Sequence, residues 1–154
     1  VRILPVLPDD MREIYDLLAE LEAVAARRAA ERGLTDTQLK ALEVTTVDMA
    51  AALAAGYMKA WSRADEQFHQ LMTQAAGNSR MVQVVNMLID QSQSVRMKIL
   101  DIRPPPKDSN NDHLAILDAV KRRDPEAAFK IQHAHRQRAG RLLTALLVQS
   151  TGGH

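Results

Sequence analysis

No cysteine occurs in this 154-residue chain, which excludes both a disulfide framework and a thiolate-bound metal. That absence fits a reducing compartment, and a cytoplasmic location is expected. Aromatic residues are scarce, at 3%, so the core has to be built mainly from Ala, Leu, Met and Val. This is the composition of helices that pack closely through small side chains. Neither sign of charge is in excess: Lys and Arg number 20, Asp and Glu 19. The chain therefore lacks the basic face of a strong nucleic-acid binder. No apolar run reaches the roughly 18 residues needed to cross a bilayer, so no membrane association is expected. The apolar start is broken by Pro5 and Pro8, and no signal peptide is expected there. Regular repeats are absent. The first residue is Val1, and the chain reads as a fragment or a processed product.

What is present is helical periodicity, in a length that suits one all-α domain over residues 9–149. Residues 1–8 form a Pro-punctuated lead-in. Asp9 and Asp10 are expected to cap a first helix to about Arg32, with Ile14, Leu17, Leu18, Leu21, Val24 and Ala25 on its apolar side and Gly33 as its stop. Thr35 and Gln38 form a capping box for a second helix to about Ala55. A third helix spans about Tyr57 to Ala76, and Gly77-Asn78 opens a fourth that ends near Ile102. Pro104-Pro105-Pro106 forbids helix beyond it. A fifth helix runs from about Ser109 to Arg122. Asp124-Pro125-Glu126 then supplies an N-cap, a proline at the first helical position and an acid at the positive dipole end. The sixth helix follows to about Gln149, leaving 150–154 as a loose tail.

Polar residues interrupt the apolar faces at particular places. Trp61, Asp65, Phe68 and Met72 share one stripe of the third helix, and Asp65 there is costly unless it is paired or metal-bound. Asp65 and His69 are one turn apart on one face. His113 lies with Ile116, Leu117 and Val120 on the fifth helix. His135 falls on the stripe of Ala128, Ile131, Leu142 and Leu146, whereas His133 lies about 200° around the sixth helix and is expected in solvent. Three helices thus bring Asp65, His69, His113 and His135 inward, as metal sites in helical bundles are built. Three imidazoles and a carboxylate suit Zn²⁺, Ni²⁺ or Mn²⁺. The same spacing also admits separate, hydrogen-bonded core residues. Met58, Met72, Met81, Met87 and Met97 read as core filler. Lys121-Arg122-Arg123 reads as a solvated helix end.

Taken in order, several segments resemble one family. They are Ile14-Tyr15-Asp16-Leu17 with Leu21-Glu22 and Ala29-Ala30; Asp65 with Phe68-His69; Ala76-Gly77-Asn78; His113 with Ile116-Leu117 and Ala119-Val120; and Asp124 with Ala127-Ala128 and His135. Over about residues 9 to 148 the chain is similar to the FCD domain, the C-terminal effector domain of the FadR subfamily of GntR transcription regulators. The resemblance implies an antiparallel bundle of six or seven helices that senses a ligand and is not an enzyme. It assigns a divalent metal to Asp65, His69, His113 and His135, with a small carboxylate effector beside it. It also implies a homodimer and a missing N-terminal winged helix-turn-helix domain, to which residues 1–8 would be the linker and through which alone DNA would be bound. One departure stands out: the family's arginine after the Asp/Glu-Leu pair is Leu18 here. Arg96, inside the fourth helix, could instead offer the effector a planar guanidinium. The rival reading is a helical metal-dependent hydrolase or lyase acting on a small organic acid, with Glu66 and Asp112 the nearest acids in sequence.

Overall fold

The computed structural model describes residues 5–151. They form six helices, α1 (Pro8–Arg32), α2 (Asp36–Ala55), α3 (Met58–Ala75), α4 (Ser79–Ile99), α5 (Lys107–Lys121) and α6 (Pro125–Thr151), and no strand occurs among the described residues. The expected all-α bundle is therefore what the chain adopts. None of these helices is long and apolar enough to cross a membrane.

The ends show which local chemistry prevails. At α1 the cap is Leu7, with Pro8 at the first helical position. Asp10 acts from the third position, accepting the Leu7 N–H at 2.8 Å, so neither Asp9 nor Asp10 is the cap itself. The Thr35–Gln38 capping box forms as expected, at 3.1 and 2.9 Å. Gly56 closes α2 in the left-handed region (φ 74°, ψ 19°), where a Cβ would be strained. The fourth helix stops at Ile99, short of the expected Ile102, in a turn closed by the Arg103 N–H on the Ile99 carbonyl at 3.0 Å. The α6 helix runs to Thr151, two residues past the expected Gln149, and residues 1–4 and 152–154, His154 among them, lie outside the described residues.

Arg123 is more than a solvated helix end. It adopts φ 59° in the α5–α6 turn, and its guanidinium donates to the Ala30 and Glu31 carbonyls. It thereby satisfies the last turn of α1, where the dipole favours a cation.

Helices α1 and α6 share the most extensive contact in the bundle and run antiparallel. Ala30 meets Arg123, Glu20 meets His133, and Tyr15 meets Gly140 along their length. A Cβ at Gly140 would stand 2.7 Å from the Tyr15 Cβ, which is no flexible tip, so the helices would have to move apart. Gly140→Ala is therefore expected to lower the thermal midpoint. Overpacking costs about 1–3 kcal/mol, and the alanine's better helix propensity returns about 1 kcal/mol at most.

The apolar interior is in two parts. One gathers Ala26, Leu42, Met49, Trp61, Phe68, Ile116 and Ala128. The other gathers Met11, Leu18, Val85, Val95, Ile99 and Leu143. Along α1 the change falls between Leu18 and Ala26, where Glu22 sits; along α6 it falls between Ala128 and Leu143, where His135 and Arg136 sit. The buried Glu22, His135 and Arg136 occupy this junction. Two apolar expectations fail at the surface. Leu17 is 52% exposed, and Met87 and Met97 are 51% and 39% exposed, because no helix among the described residues covers the outer faces of α1 and α4.

Candidate metal centre

Helix α3 turns Trp61, Asp65, Phe68 and Met72 inward, and Trp61 ties it to α5 by donating Nε1–H to Asn110 Oδ1 at 2.7 Å. That bond sets His113 of α5 opposite Asp65 and His69. The Phe68 ring packs on His113 at 4.7 Å and meets His69 edge-on. From α6, His135 stacks on His69 at 5.3 Å and meets His113 at 4.7 Å. His133 turns outward to Glu20, at 2.6 Å, as its angular position required.

Asp65, His69, His113 and His135 therefore converge, each buried and each offering one ligand atom within 4.8 Å of the others. Asp65 Oδ1 lies 3.3 Å from His69 Nε2 and 3.1 Å from His113 Nε2. The two Nε2 atoms are 3.1 Å apart, and of these three approaches only theirs has the alignment of a hydrogen bond. Three electron-rich atoms in so tight a triangle share too few protons to satisfy one another. A triangle with these edges has a circumradius of about 1.8 Å, which is compatible with the ~2.0–2.1 Å bonds of a divalent ion held by these residues. The donor set thus fits a divalent cation.

The far sides of the rings are held by carboxylates. Asp112 Oδ2 accepts from His135 Nδ1 at 3.0 Å and also receives Arg138, which leaves His135 Nε2 for the centre. Glu22 Oε2 stands 3.0 Å from His69 Nδ1, close enough for charge attraction although not aligned as a hydrogen bond. Glu22 in turn takes two bonds from Arg136, at 2.6 and 3.2 Å. Carboxylates behind imidazoles fix ring orientation and tautomer in metal sites. His113 lacks such support: its Nδ1 is buried without a partner.

The protonation states favour free lone pairs at two of the three rings. Burial pushes His135 down to about 3 and His113 below the ordinary imidazole value. Burial and Arg136 act the same way on His69, but the Glu22 and Asp65 charges outweigh them and raise it. Burial would raise the Asp65 carboxyl, yet the neighbouring His69 leads a set of interactions that hold it well below the usual range.

Arg96 is buried, and its Nη2 donates to Asp65 Oδ2 at 3.2 Å, so each Asp65 oxygen has a distinct neighbour. It lines a cavity of about 30 Å³ against the centre, together with Tyr15, Trp61, Arg103 and Arg136. Leu18 is fully buried within the second apolar cluster.

The Glu22–Arg136 pair was not anticipated from sequence. Its one available signal was an acid on the α1 core face, four residues from both Leu18 and Ala26, which has to find a counter-charge. Asp112, one of the acids an enzymatic reading would use, is engaged by His135 and Arg138.

Fold and centre define a class: an all-helical domain with a buried three-histidine, one-aspartate cluster beside an arginine-lined cavity. The FCD domain model matches residues 13–138. The chain belongs to the FCD domain family, as the resemblance of its motifs implied. The fold is shared with Escherichia coli McbR/YncC, at a TM-score of 0.84 and 17% identity, covering 92% of this chain and 71% of that one. It is shared also with the metal-free FCD domain of TM0439, at a TM-score of 0.75 and 15% identity, covering 95% and 99%. Curated relatives include two from Escherichia coli. The HTH-type transcriptional repressor RspR of strain K12 is 29% identical over 76% of this chain and 51% of its own length. The HTH-type transcriptional repressor NanR of strain K12 / DH10B is 27% identical over 83% of this chain and 48% of its own length. The chain thus spans about half the length of the curated relatives it matches.

Proposed function

We propose that this chain is the ligand-sensing domain of a GntR-type transcription regulator, working in the cytoplasm. In this reading a divalent cation (Zn²⁺, Ni²⁺ or Mn²⁺) is held by Asp65, His69, His113 and His135. A small carboxylate effector places its carboxylate in the adjoining cavity, where Arg96 presents its guanidinium. The observation that carries the proposal is the convergence of four donor atoms from α3, α5 and α6. The naming of RspR and NanR as HTH-type transcriptional repressors supports the regulatory half of it.

When bound, the cation supplies fixed positive charge for an anionic ligand. The chain's own residues do the rest: Glu22 and Asp112 hold the His69 and His135 rings, and Arg96 holds the outer oxygen of Asp65. DNA is reached through a winged helix-turn-helix domain that residues 1–8 join to this one, in a homodimer. The effector acts by differential affinity for two helix packings, which set the separation of the DNA-binding heads.

The test is elemental analysis of the purified chain after growth with zinc, nickel or manganese. About one ion per chain is expected, from the one such cluster among the described residues. His69→Ala/His113→Ala protein, still helical by circular dichroism, should carry almost none. A wild-type ratio near zero removes the receptor as described. Turnover of small organic acids by the loaded protein would favour an enzyme instead.

A further inference from the structure

Arg103 lies in the α4–α5 connection, half-buried, and has no carboxylate partner among the described residues. Its guanidinium rests 5.0 Å from the centre of the Trp61 ring and makes only a long, 3.4 Å contact with the Pro104 carbonyl. Burial disfavours its charged form. A guanidinium withdrawn from water without a counter-ion is costly, and an anion would relieve the cost.

Its position suggests where that anion would lie. Arg103 lines the cavity of about 30 Å³ beside Asp65 and Arg96. It also lines a second cavity of about 450 Å³, with Pro106, Lys107, Asp108, Asp112 and Arg138. Ser109, His135 and Ala139 border both, so the two are adjoining chambers with Arg103 at the partition. The inner chamber holds one or two water-sized groups, enough for a single carboxylate head but not for a whole organic acid. The outer one has the volume of an ordinary ligand pocket. There Arg138 is already engaged by Asp112, whereas Arg103 and Lys107 have no acid partner among the described residues. An acid seated by its head at Arg96 must extend past Arg103 into a chamber where Arg103 and Lys107 outnumber the one unpaired carboxylate, Asp108.

We propose that the effector is a dicarboxylate, with one carboxylate at Arg96 in the inner chamber and the second at Arg103 in the outer one. This rests on the receptor reading above and narrows its ligand class.

Calorimetric titration of the metal-replete chain with carbon-matched acids tests it: propionate against malonate, butyrate against succinate, valerate against glutarate. At least one dicarboxylate should bind roughly tenfold tighter than its monocarboxylate partner, the size of one charge-assisted pairing. Arg103→Gln should bring that pair to within about twofold by weakening the dicarboxylate alone, and Arg103→Lys should keep part of the preference. Arg96→Gln should weaken both. Equal binding of every pair to wild-type protein, or equal weakening of both acids by Arg103→Gln, overturns the two-carboxylate inference and leaves the receptor reading standing. If no acid of either series binds, both fall.

Discussion

Zinc-replete protein is expected to unfold on the order of 10 °C above the same protein stripped with a chelator. A ligand that binds only the folded state stabilises it by about 4 kcal/mol at a thousandfold excess over its dissociation constant. In a domain of this size each kcal/mol moves the midpoint by roughly 2–4 °C. The four donors come from three helices, α3, α5 and α6, and no unfolded chain holds them together, so binding is coupled to folding. His113→Ala should abolish the zinc-dependent rise, and its chelator-treated midpoint should also fall, because the ring is fully buried against Phe68 and its Nε2 faces His69 Nε2. The rise should also shrink in mild acid, where protons compete for His69, the one ring of the three whose affinity for a proton is raised. Differential scanning calorimetry with and without Zn²⁺, Ni²⁺ and Mn²⁺ measures this directly. Coincident midpoints under all conditions would mean that the cluster is only a hydrogen-bonded junction.

The helices were legible because their punctuation is local. Gly33, the Thr35–Gln38 box, Gly56 and Asp124-Pro125 each act within a turn of their own position. Boundaries slipped by a few residues where a local turn or cap competed with the expected one, and a long-range partner was missed outright. The fourth helix ends in a turn before the prolines demand it, and Arg123 finds its acceptors on Ala30 and Glu31 at the far end of the sequence. The inward placement of Asp65, His69, His113 and His135 followed from periodicity, since Asp65, His113 and His135 fall on apolar stripes and His69 lies one turn from Asp65. Their convergence did not, because no spacing within one helix fixes the height of its neighbour. That height is set here by the Trp61–Asn110 bond and by the Tyr15–Gly140 contact. The second ring of charge was the least legible. An acid such as Glu22 on a core face shows only that it needs a partner, and Arg136 is 114 residues away.

That hidden pair carries the other large effect. Glu22→Ala is expected to destabilise the domain by about 3–5 kcal/mol, since removing one member of a buried ion pair strands the other. Both residues are 3% exposed, and Arg136 stays charged: burial works against it, but the Glu22 carboxylate more than compensates and raises it. Glu22→Leu/Arg136→Met should recover much of the loss, because an apolar pair of similar volume avoids the desolvation cost altogether. The wild-type pH profile should show the same pair. Burial alone would raise the Glu22 carboxyl, but the Arg136 and His69 charges bring it down to about 2, against 4.5 for the free group. A depressed carboxyl stabilises fully above its unfolded value and loses that contribution as pH falls through its folded one. The contribution, about 3 kcal/mol, should therefore disappear between roughly pH 4.5 and 2 in metal-free protein. In Glu22→Gln that segment of the stability curve should flatten. The variant should also bind metal about 10–100-fold more weakly, because the His69 ring loses the charge behind it. Chemical denaturation across this pH range, with and without zinc, reads both effects. A Glu22→Ala protein within 1 kcal/mol of wild type would show that the junction draws little of its strength from this pair.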